Sequence, residues 1–402
     1  MSAILQFVKP LYTEIFETYV IITRIIFNEG SLFLKMSFEN INSRVEKLRT
    51  LMSEKNVDVF ILFVNERSNS ESCHYISGFR GSSAALLIDF DNANLITDGR
   101  YKTQSAMQSP FKITIQSELS LPEYIIKIIS ESNYKNVGFE AEKISHFTFQ
   151  KYFADLKINW IDASDFMKIL RRTKDENEIT LIKKAALIGR MAYGNVLKKF
   201  VTEMSEIEFD ILLNQEIKKL GAEKGWAHDD FIVASGKRSA MCHAPATTKK
   251  IQNGDIVTVD YGAMFEGYMS DITRNFSVKN PDKKALEIND ILLKAHREAA
   301  KSLRPGISGK EVDSIARKII SDSGYEKNFL HGLGHGLGLE IHESPRLSQT
   351  SKDILQVGDV VTIEPGIYIE GWGGLRIEDD YLITHEGCEC LTLNDNQSLE
   401  II

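Results

Sequence analysis

Residues 255–273, DIVTVDYGAMFEGYMSDIT, predict two β-strands joined by a tight turn. Polar and apolar residues alternate on both sides of the turn, as expected for pleated strands. Asp260 and Asp271 are eleven positions apart, so a hairpin centred between Phe265 and Glu266 places their carboxylates opposite each other. With Cβ atoms about 4.5–5.5 Å apart, two like charges in an apolar strand pair are destabilising unless a cation lies between them. The stretch therefore predicts a metal-binding hairpin.

The same pattern recurs 104 positions later in the chain. GDIVTVDYG at 254–262 aligns with GDVVTIEPG at 358–366, and Glu364 occupies the position that matches Asp260. Glu378 and Glu364 lie symmetrically about a glycine-rich loop, so the same argument places these two carboxylates opposite each other. Upstream of the two hairpins, SEIEFD and SGKEVD begin matching helices. The sequence thus predicts a duplicated helix-and-hairpin unit with four carboxylates at one site.

Length and composition limit the class of protein. The chain has 402 residues, more than most single domains, so two domains are expected. A hydrophobic content of 43% and a charged content of 26% are typical of a soluble globular protein. The net charge of −8, without a basic cluster, argues against a nucleic-acid partner. The four cysteines fit neither a zinc finger nor a disulfide framework, so a cytoplasmic location is expected.

The first 35 residues differ in character from the rest of the chain. The apolar stretch 11–27 contains three charged residues, and it is too short and too charged for a membrane-spanning helix. It also lacks the basic start and the small-residue cleavage site of a signal peptide. Because Met36 opens an ordinary domain-like sequence, residues 1–35 are expected to be an extension outside any domain, either a non-native or upstream-start segment or a loosely attached helix. No membrane partner is expected.

Two domains follow this extension. Apolar residues at helical spacing predict a helix over 39–55. Strands and helices then alternate, which indicates an α/β domain over 36–165. Thr173 and Glu176 form a predicted capping box at the start of a long helix. A second domain is therefore expected over 174–402.

Residues 331–345, HGLGHGLGLEIHESP, contain three histidines among four glycines. This glycine content disfavours a helix, so a zinc pair one helical turn apart is the wrong interpretation. Glycine instead lets the backbone approach a crowded site, and with acidic partners nearby this favours one of the three histidines as a metal ligand. The predicted ligands are four carboxylates and one imidazole: Asp260, Asp271, His335, Glu364 and Glu378.

These ligands suit a hard or borderline divalent ion such as Mn²⁺, Co²⁺, Fe²⁺ or Zn²⁺. Four negative charges exceed what one ion needs, so two ions about 3.5–4 Å apart are favoured. Arg376 shares a strand face with the predicted ligand Glu378. Its guanidinium is expected to hold that ligand, to contact the substrate, or to form only a structural ion pair.

These motifs resemble those of the proline-specific metallopeptidases aminopeptidase P and prolidase. The resemblance rests on VDYGAMFEGYMSDITRNF, GLGHGLGLEIHE, TIEPGIY and GGLRIEDDYLIT, which occur in the expected order within 174–402. Residues 36–162 are similar to the creatinase-type N-terminal domain of these enzymes. The resemblance implies an α/β N-terminal domain followed by an α+β pita-bread catalytic domain, duplicated about a pseudo-twofold axis.

The resemblance also implies a role for each predicted ligand. Asp260 would bind one ion, His335 and Glu364 would bind the other, and Asp271 and Glu378 would bridge the two. Glu364 would in addition be the general base.

Three further histidines match pocket residues of the family. His243 and His342 match histidines that position the substrate and stabilise the developing oxyanion, and His331 matches a further pocket histidine. The remaining histidines are expected to be ordinary core or surface residues: His74, His146, His228, His296 and His385.

The expected function is a cytoplasmic exopeptidase that uses two divalent ions, Mn²⁺ before the others, and removes the N-terminal residue from Xaa-Pro peptides. A strict Xaa-Pro dipeptidase stays open as the alternative. Methionine aminopeptidase is disfavoured because that branch lacks a comparable N-terminal domain. A creatinase-like metal-free hydrolase and a non-catalytic pita-bread scaffold are disfavoured because no ligand position is lost. The family tends to form dimers or tetramers, so a homodimer is expected.

Overall fold

The computed structural model describes residues 38–66, 68–226, 231–392 and 399–402. The predicted extension over 1–35 and His228 lie outside the described residues. Within the described ranges, none of the helices combines the length and the apolar character needed to cross a lipid bilayer.

The first part of the described chain is an α/β structure built on a six-stranded sheet, as the sequence predicts. Its strands are β1 Val59–Asn65, β2 Ser83–Asp89, β3 Ala93–Thr97, β4 Lys112–Ile115, β5 Asn136–Phe139 and β6 Asn159–Asp162. Its helices are α1 Phe38–Glu54, α2 Ser70–Ser77, α3 Lys102–Gln108, α4 Leu121–Glu131, α5 His146–Tyr152 and α6 Ser164–Arg172. The strand order is β4-β3-β2-β1-β5-β6, with β1 antiparallel to β2 and parallel to β5.

The centre of this sheet is the apolar strand β1, VFILFVN, which is buried over most of its length. Val59 and Ile61 of β1 belong to one hydrophobic core with Ile125 and Ile129 of α4. A continuous apolar run is typical of a strand that is covered on both faces. The short helix α2 is not predicted from sequence, because its residues SESCHYIS lack a clear apolar period.

The described residues from 174 onward contain two helix pairs and two sets of strands. The helices are α7 Glu176–Leu197, α8 Glu206–Lys219, α9 Lys283–Ser302 and α10 Gly309–Asp322. The first set of strands is β7 Ile232–Ser235, β8 Ile256–Tyr261, β9 Met264–Phe265, β10 Tyr268–Met269 and β11 Ile272–Ser277. The later strands are β12 Gly334–Gly336, β13 Glu343–Leu347, β14 Val360–Ile363, β15 Gly366–Ile369, β16 Gly373–Arg376, β17 Asp379–Ile383, β18 Cys388–Cys390 and β19 Glu400–Ile401.

These elements form a duplicated architecture. One sheet has the order β19-β11-β8-β7 and the other has the order β13-β12-β14-β17-β18. Matching capping boxes begin α8 and α10, with Ser205 bonded to the backbone of Glu208 and Ser308 to that of Glu311. Each of these helices precedes an acidic hairpin, so the predicted duplication of a helix-and-hairpin unit is confirmed.

The predicted capping box at Thr173 and Glu176 is wrong by two positions. The N-cap of α7 is Asp175, whose side chain accepts the backbone N–H of Glu178 at 2.9 Å. The physical reason is that the chain is still extended at Thr173, which forms a β-bridge with Asp359.

Candidate metal centre

The first acidic hairpin has a register that differs from the predicted one. Asp260 pairs with Thr273 across β8 and β11, so Asp271 lies diagonally from Asp260 rather than directly opposite. The turn is centred on Glu266 and Gly267, one residue later than predicted, and both have positive φ values of 49° and 85°. Because residues two positions apart share a strand face, the shift still leaves both aspartates beside the same cavity.

The second acidic hairpin has the predicted register. Ile363 pairs with Asp379 at the end of β14 and β17, and Gly366 pairs with Arg376 in β15 and β16. Both ladders follow the same register, so Glu364 lies opposite Glu378 between them.

The two hairpins meet at Thr273 and Glu378. The backbone N–H of Glu378 donates to the carbonyl oxygen of Thr273 at 3.3 Å, and the Thr273 hydroxyl donates to Glu378 Oε2 at 2.6 Å. This junction brings all four predicted carboxylates to the wall of one cavity of about 720 Å³.

His335 reaches this cavity from β12. Its Nε2 atom lies 3.4 Å from Glu364 Oε1 and 3.7 Å from Asp271 Oδ2. The neighbouring glycines allow this approach, because a Cβ at Gly334 would lie only 2.0 Å from the backbone oxygen of Thr362, and one at Gly336 only 2.2 Å from that of Ser344. The donor atoms of Asp271, His335 and Glu378 all lie within 4.8 Å of one another. Asp260 and Glu364 line the same cavity.

The pKa values and hydrogen bonds of the carboxylates indicate whether these residues can bind a cation. Burial, followed by the charge of neighbouring carboxylates, raises the pKa values of Asp271 and Glu378 well above their ordinary range. Burial and the charge of Asp260 raise the pKa of Glu364 to about 8, although Arg376 opposes this shift. The buried Oδ1 atoms of Asp260 and Asp271 have no hydrogen-bond partner among the described residues. Buried, crowded and partly unpaired oxygen donors of this kind fit a divalent cation.

His335 is already in the state that a metal ligand requires. Burial and the nearby His342 lower its pKa to about 3, so the imidazole is neutral. Its Nδ1 atom lies 3.1 Å from the carbonyl oxygen of Gly336. Since a carbonyl can only accept, Nδ1 carries the proton and the lone pair of Nε2 faces the acidic cluster.

Arg376 connects several of the site residues. Its buried guanidinium forms an ion pair with Asp260 and lies 3.9 Å from Glu378 Oε2. It also donates to the hydroxyl oxygens of Tyr368 at 2.7 Å and Thr273 at 3.0 Å. Of the roles considered for Arg376, these contacts favour that of a holder of ligands, and Asp260 is a stronger partner than the predicted Glu378.

The three predicted pocket histidines line the same cavity. His342 packs perpendicular to His335, with 4.4 Å between the ring centroids. His331 Nε2 lies 3.0 Å from the Tyr368 hydroxyl, and burial followed by Arg376 lowers the pKa of His331 to about 4. His243 is exposed to the cavity. Of the other described histidines, His74 and His296 are buried and His146 and His385 are exposed at the surface.

Four residues of the site are not predicted from sequence. Thr273 and Tyr368 bond to the acidic residues or to Arg376, and Asp380 Oδ2 accepts the backbone N–H of Asp271 at 3.0 Å. Arg346 lines the cavity. Strand alternation is a signal for two of them, since Thr273 lies two positions after Asp271 and Tyr368 lies four positions after Glu364.

The fold and the site together define a metal-dependent hydrolase. Duplicated hairpins converge on four carboxylates and one imidazole beside a cavity large enough for a small peptide.

Comparisons with known proteins agree with this class. The family model "Metallopeptidase family M24" matches residues 180–385, and "Creatinase/Prolidase N-terminal domain" matches residues 44–173. The chain belongs to metallopeptidase family M24 and is a hydrolase with the pita-bread catalytic fold.

Relatives match over nearly their whole length. An Xaa-Pro dipeptidase from Pyrococcus horikoshii is 36% identical over 358 residues, which cover 89% of this chain and 98% of that protein. The solved structure of an Xaa-Pro dipeptidase from Bacillus anthracis has a TM-score of 0.84 at 36% identity, covering 90% of this chain and 100% of that one. An X-Pro aminopeptidase from Thermotoga maritima has a TM-score of 0.83 at 36% identity, with coverages of 89% and 99%.

Proposed function

We propose that this protein uses two divalent metal ions, Mn²⁺ before the others, to hydrolyse the Xaa-Pro bond at the N-terminus of peptides. The observation that carries the proposal is the convergence of four carboxylates and His335 on one cavity. The names of the similar dipeptidases and of the X-Pro aminopeptidase support the choice of bond.

Five residues would hold the two ions. Asp260 would bind one ion, His335 and Glu364 the other, and Asp271 and Glu378 would bridge them. When bound, the ions lower the pKa of a water molecule. They also place positive charge beside the scissile carbonyl. Thr273, by bonding to Glu378, would fix the orientation of this proposed ligand.

Glu364 is the best-placed general base. Its side chain is 17% exposed, compared with 11% for Asp260, 6% for Asp271 and 2% for Glu378. It is therefore the carboxylate most accessible from the cavity, where a proton has to be received from water and delivered to the leaving nitrogen.

The histidines that line the cavity would act on the substrate. His342 and His243 would donate hydrogen bonds to the carbonyl oxygen as negative charge develops on it. His331, tied to Tyr368, would support the wall beside Glu364, since its Nδ1 atom lies 3.7 Å from Glu364 Oε2.

A strict dipeptidase is the second candidate, and Arg346 favours it. The guanidinium of Arg346 lines the cavity and forms no ion pair with any residue in the described ranges. It is near enough to lower the pKa values of His335 and Glu364. A cation at this place would bind the C-terminal carboxylate that only a dipeptide presents beside the scissile bond.

Three further proposals accompany this function. The domains would be 36–165 and 174–402, the protein would act as a homodimer, and it would be cytoplasmic. The last proposal is supported by the four cysteines, all of which are free thiols.

The test uses protein stripped with a chelator and reloaded with Mn²⁺, Co²⁺, Fe²⁺ or Zn²⁺ in separate samples. Hydrolysis of Xaa-Pro dipeptides and Xaa-Pro-Xaa tripeptides is measured against matched peptides with alanine in place of proline. Metal-dependent cleavage before proline supports the proposal, and absence of cleavage in every metal-loaded form refutes it. If Arg346→Ala raises KM for the dipeptide alone, the dipeptidase is favoured; equal effects on both lengths favour the aminopeptidase.

A further inference from the structure

We propose that Glu343, held by Arg171 and Lys174, is a positioning residue that fixes His342 beside the metal centre. The inference rests on the proposed function, because it concerns the place of His342 in peptide hydrolysis. Its basis is a buried cluster of charges that joins α6 and the residues after it to the turn over 337–343.

The carboxylate of Glu343 closes this turn on itself. Glu343 Oε1 accepts the backbone N–H of Leu339 at 3.0 Å and that of Glu340 at 3.1 Å. Strand β13 begins at Glu343, and Glu343 pairs with Gly336 of β12 after a register shift. His342 is the residue between the closed turn and the strand, so its place depends on how Glu343 is anchored.

Two buried cations anchor Glu343. Arg171 Nη2 lies 2.5 Å from Glu343 Oε1, and Lys174 Nζ lies 3.1 Å from Oε2. The three side chains are 8%, 1% and 7% exposed for Arg171, Lys174 and Glu343. Burial opposes ionisation of Glu343, but the two cations hold its pKa at about 2. A buried carboxylate of this kind is stable in its place only while its cations are present.

The cations are themselves held by the first part of the chain. Arg171 lies in α6, and its Nη1 atom donates to the Ser72 hydroxyl of α2 at 3.5 Å. Lys174 Nζ donates to the carbonyl oxygen of Arg172 at 2.9 Å. The cluster packs closely against Gly338, where a Cβ would lie 2.9 Å from Glu343 Oε2 and 3.0 Å from Lys174 Cε. The place of the turn is thus set from outside the metal-binding hairpins.

The cluster adjoins His342 along the chain and contains none of the five proposed metal ligands, although Glu343 also pairs with Gly336, the neighbour of His335. A change at Glu343 should therefore lower kcat while metal content and KM stay close to those of the wild type. Partners that orient metal ligands typically contribute about 10–100-fold to metal affinity or activity, and we expect a loss of kcat in the same range for Glu343→Gln, whose target is an active-site histidine. Arg171→Lys, which shortens the side chain but keeps its charge, should give a smaller loss.

The experiment uses the full chain loaded with Mn²⁺ and an Xaa-Pro dipeptide. Glu343→Gln and Arg171→Lys are each measured in the wild type and in a His342→Ala background, with metal content, kcat and KM as readouts. Because the effect passes through His342, both substitutions should lower kcat in the wild type and have no further effect in the His342→Ala background. Arg172→Lys is the matched control, since Arg172 lies next to Arg171 and pairs with Asp359 at 3.0 Å, away from the turn.

Several results would overturn the proposal. These are an equal loss of kcat in both backgrounds, a loss of metal from Glu343→Gln, wild-type kcat in both variants, or the same loss from the Arg172→Lys control. If Glu343→Gln does not fold, the milder Arg171→Lys decides on the same criteria. A wild type that cleaves no Xaa-Pro peptide refutes the proposed function, and the inference falls with it. An active wild type that is insensitive to Glu343→Gln refutes the inference alone.

Discussion

The affinity of the site for a divalent ion should rise steeply with pH, because protons and metal compete for the same carboxylates. In the metal-free protein the pKa of Glu364 is about 8, and those of Asp271 and Glu378 are also raised. Metal binding requires the ionised forms, so it must release protons near neutral pH. His335 does not add to this effect, since its pKa of about 3 keeps the imidazole neutral throughout the range.

The magnitude follows from Glu364 alone. For one carboxyl with a pKa of about 8, the ionised fraction at pH 8 exceeds that at pH 6 by about 50-fold, or about 2 kcal/mol. The dissociation constant for Mn²⁺ should therefore fall by at least this factor between pH 6 and pH 8. Asp271 and Glu378, whose pKa values are raised as well, can only add to it.

The assay is calorimetric titration of chelator-treated protein with Mn²⁺ in buffers of different ionisation enthalpy, which counts the protons released. About one proton or more should be released at pH 6–7. Glu364→Gln provides the control, since removing this carboxyl should reduce the pH dependence. A dissociation constant that does not change between pH 6 and pH 8, with no proton release, would refute the reasoning, because the carboxylates would then be ionised without metal.

Other perturbations test other parts of the site. Metal-free protein should lose stability as pH rises from about 5 to about 8. The reason is that the raised pKa values of Asp271, Glu364 and Glu378 let the folded state bind more protons than the unfolded chain. Thermal unfolding with and without Mn²⁺ checks this, and a melting temperature of the metal-free protein that rises with pH contradicts it. His335→Ala should strip metal, whereas His342→Ala should keep metal and lower kcat by about 10²–10³-fold; metal loss from both variants would make His342 a ligand. Thr273→Val should weaken metal binding about 10–100-fold, since Glu378 Oε2 loses its 2.6 Å hydrogen bond. Thr258→Val is the control, because the Thr258 hydroxyl lies within hydrogen-bond distance of Gly374 O and Asn275 Oδ1 instead; equal effects would assign the loss to general destabilisation.

Local pattern predicts much of this site, because the relevant rules act over short distances. Side chains two positions apart on a strand lie on the same face of the sheet. The four glycines around His335 allow neighbouring backbone segments to approach closely. The symmetric loop between Glu364 and Glu378 is enough to fix their register. The first hairpin is misplaced by one residue because Glu266 adopts a φ of 49°. A non-glycine residue in the left-handed region is uncommon, and the sequence contains no sign of it.

Such local rules cannot predict contacts between segments that are far apart in the sequence. Arg376 and Asp260 are 116 positions apart, and Arg171 and Glu343 are 172 positions apart. Periodicity and capping rules do not link residues at this separation, since the pairing depends on how whole elements pack. The sequence therefore reveals the proposed ligands, which lie within repeated motifs, but not the partners that hold them.

The partners that hold the site lie partly in the first part of the chain. Arg44 of α1 is buried at 2% exposure and lies 2.8 Å from Asp175 and 3.2 Å from Glu178, the capping pair of α7. Glu178 in turn accepts the Tyr268 hydroxyl at 3.0 Å, beside the turn of the first acidic hairpin.

Removing one member of a buried ion pair typically costs about 3–5 kcal/mol, because the other charge stays buried without a partner. Loss of the Arg44 side chain alone would leave Glu178 in that state, beside the first acidic hairpin. This loss is a large fraction of the stability of many domains, which is about 5–15 kcal/mol. The α/β part thus stabilises the first hairpin through Arg44, whatever it contributes to the choice of substrate.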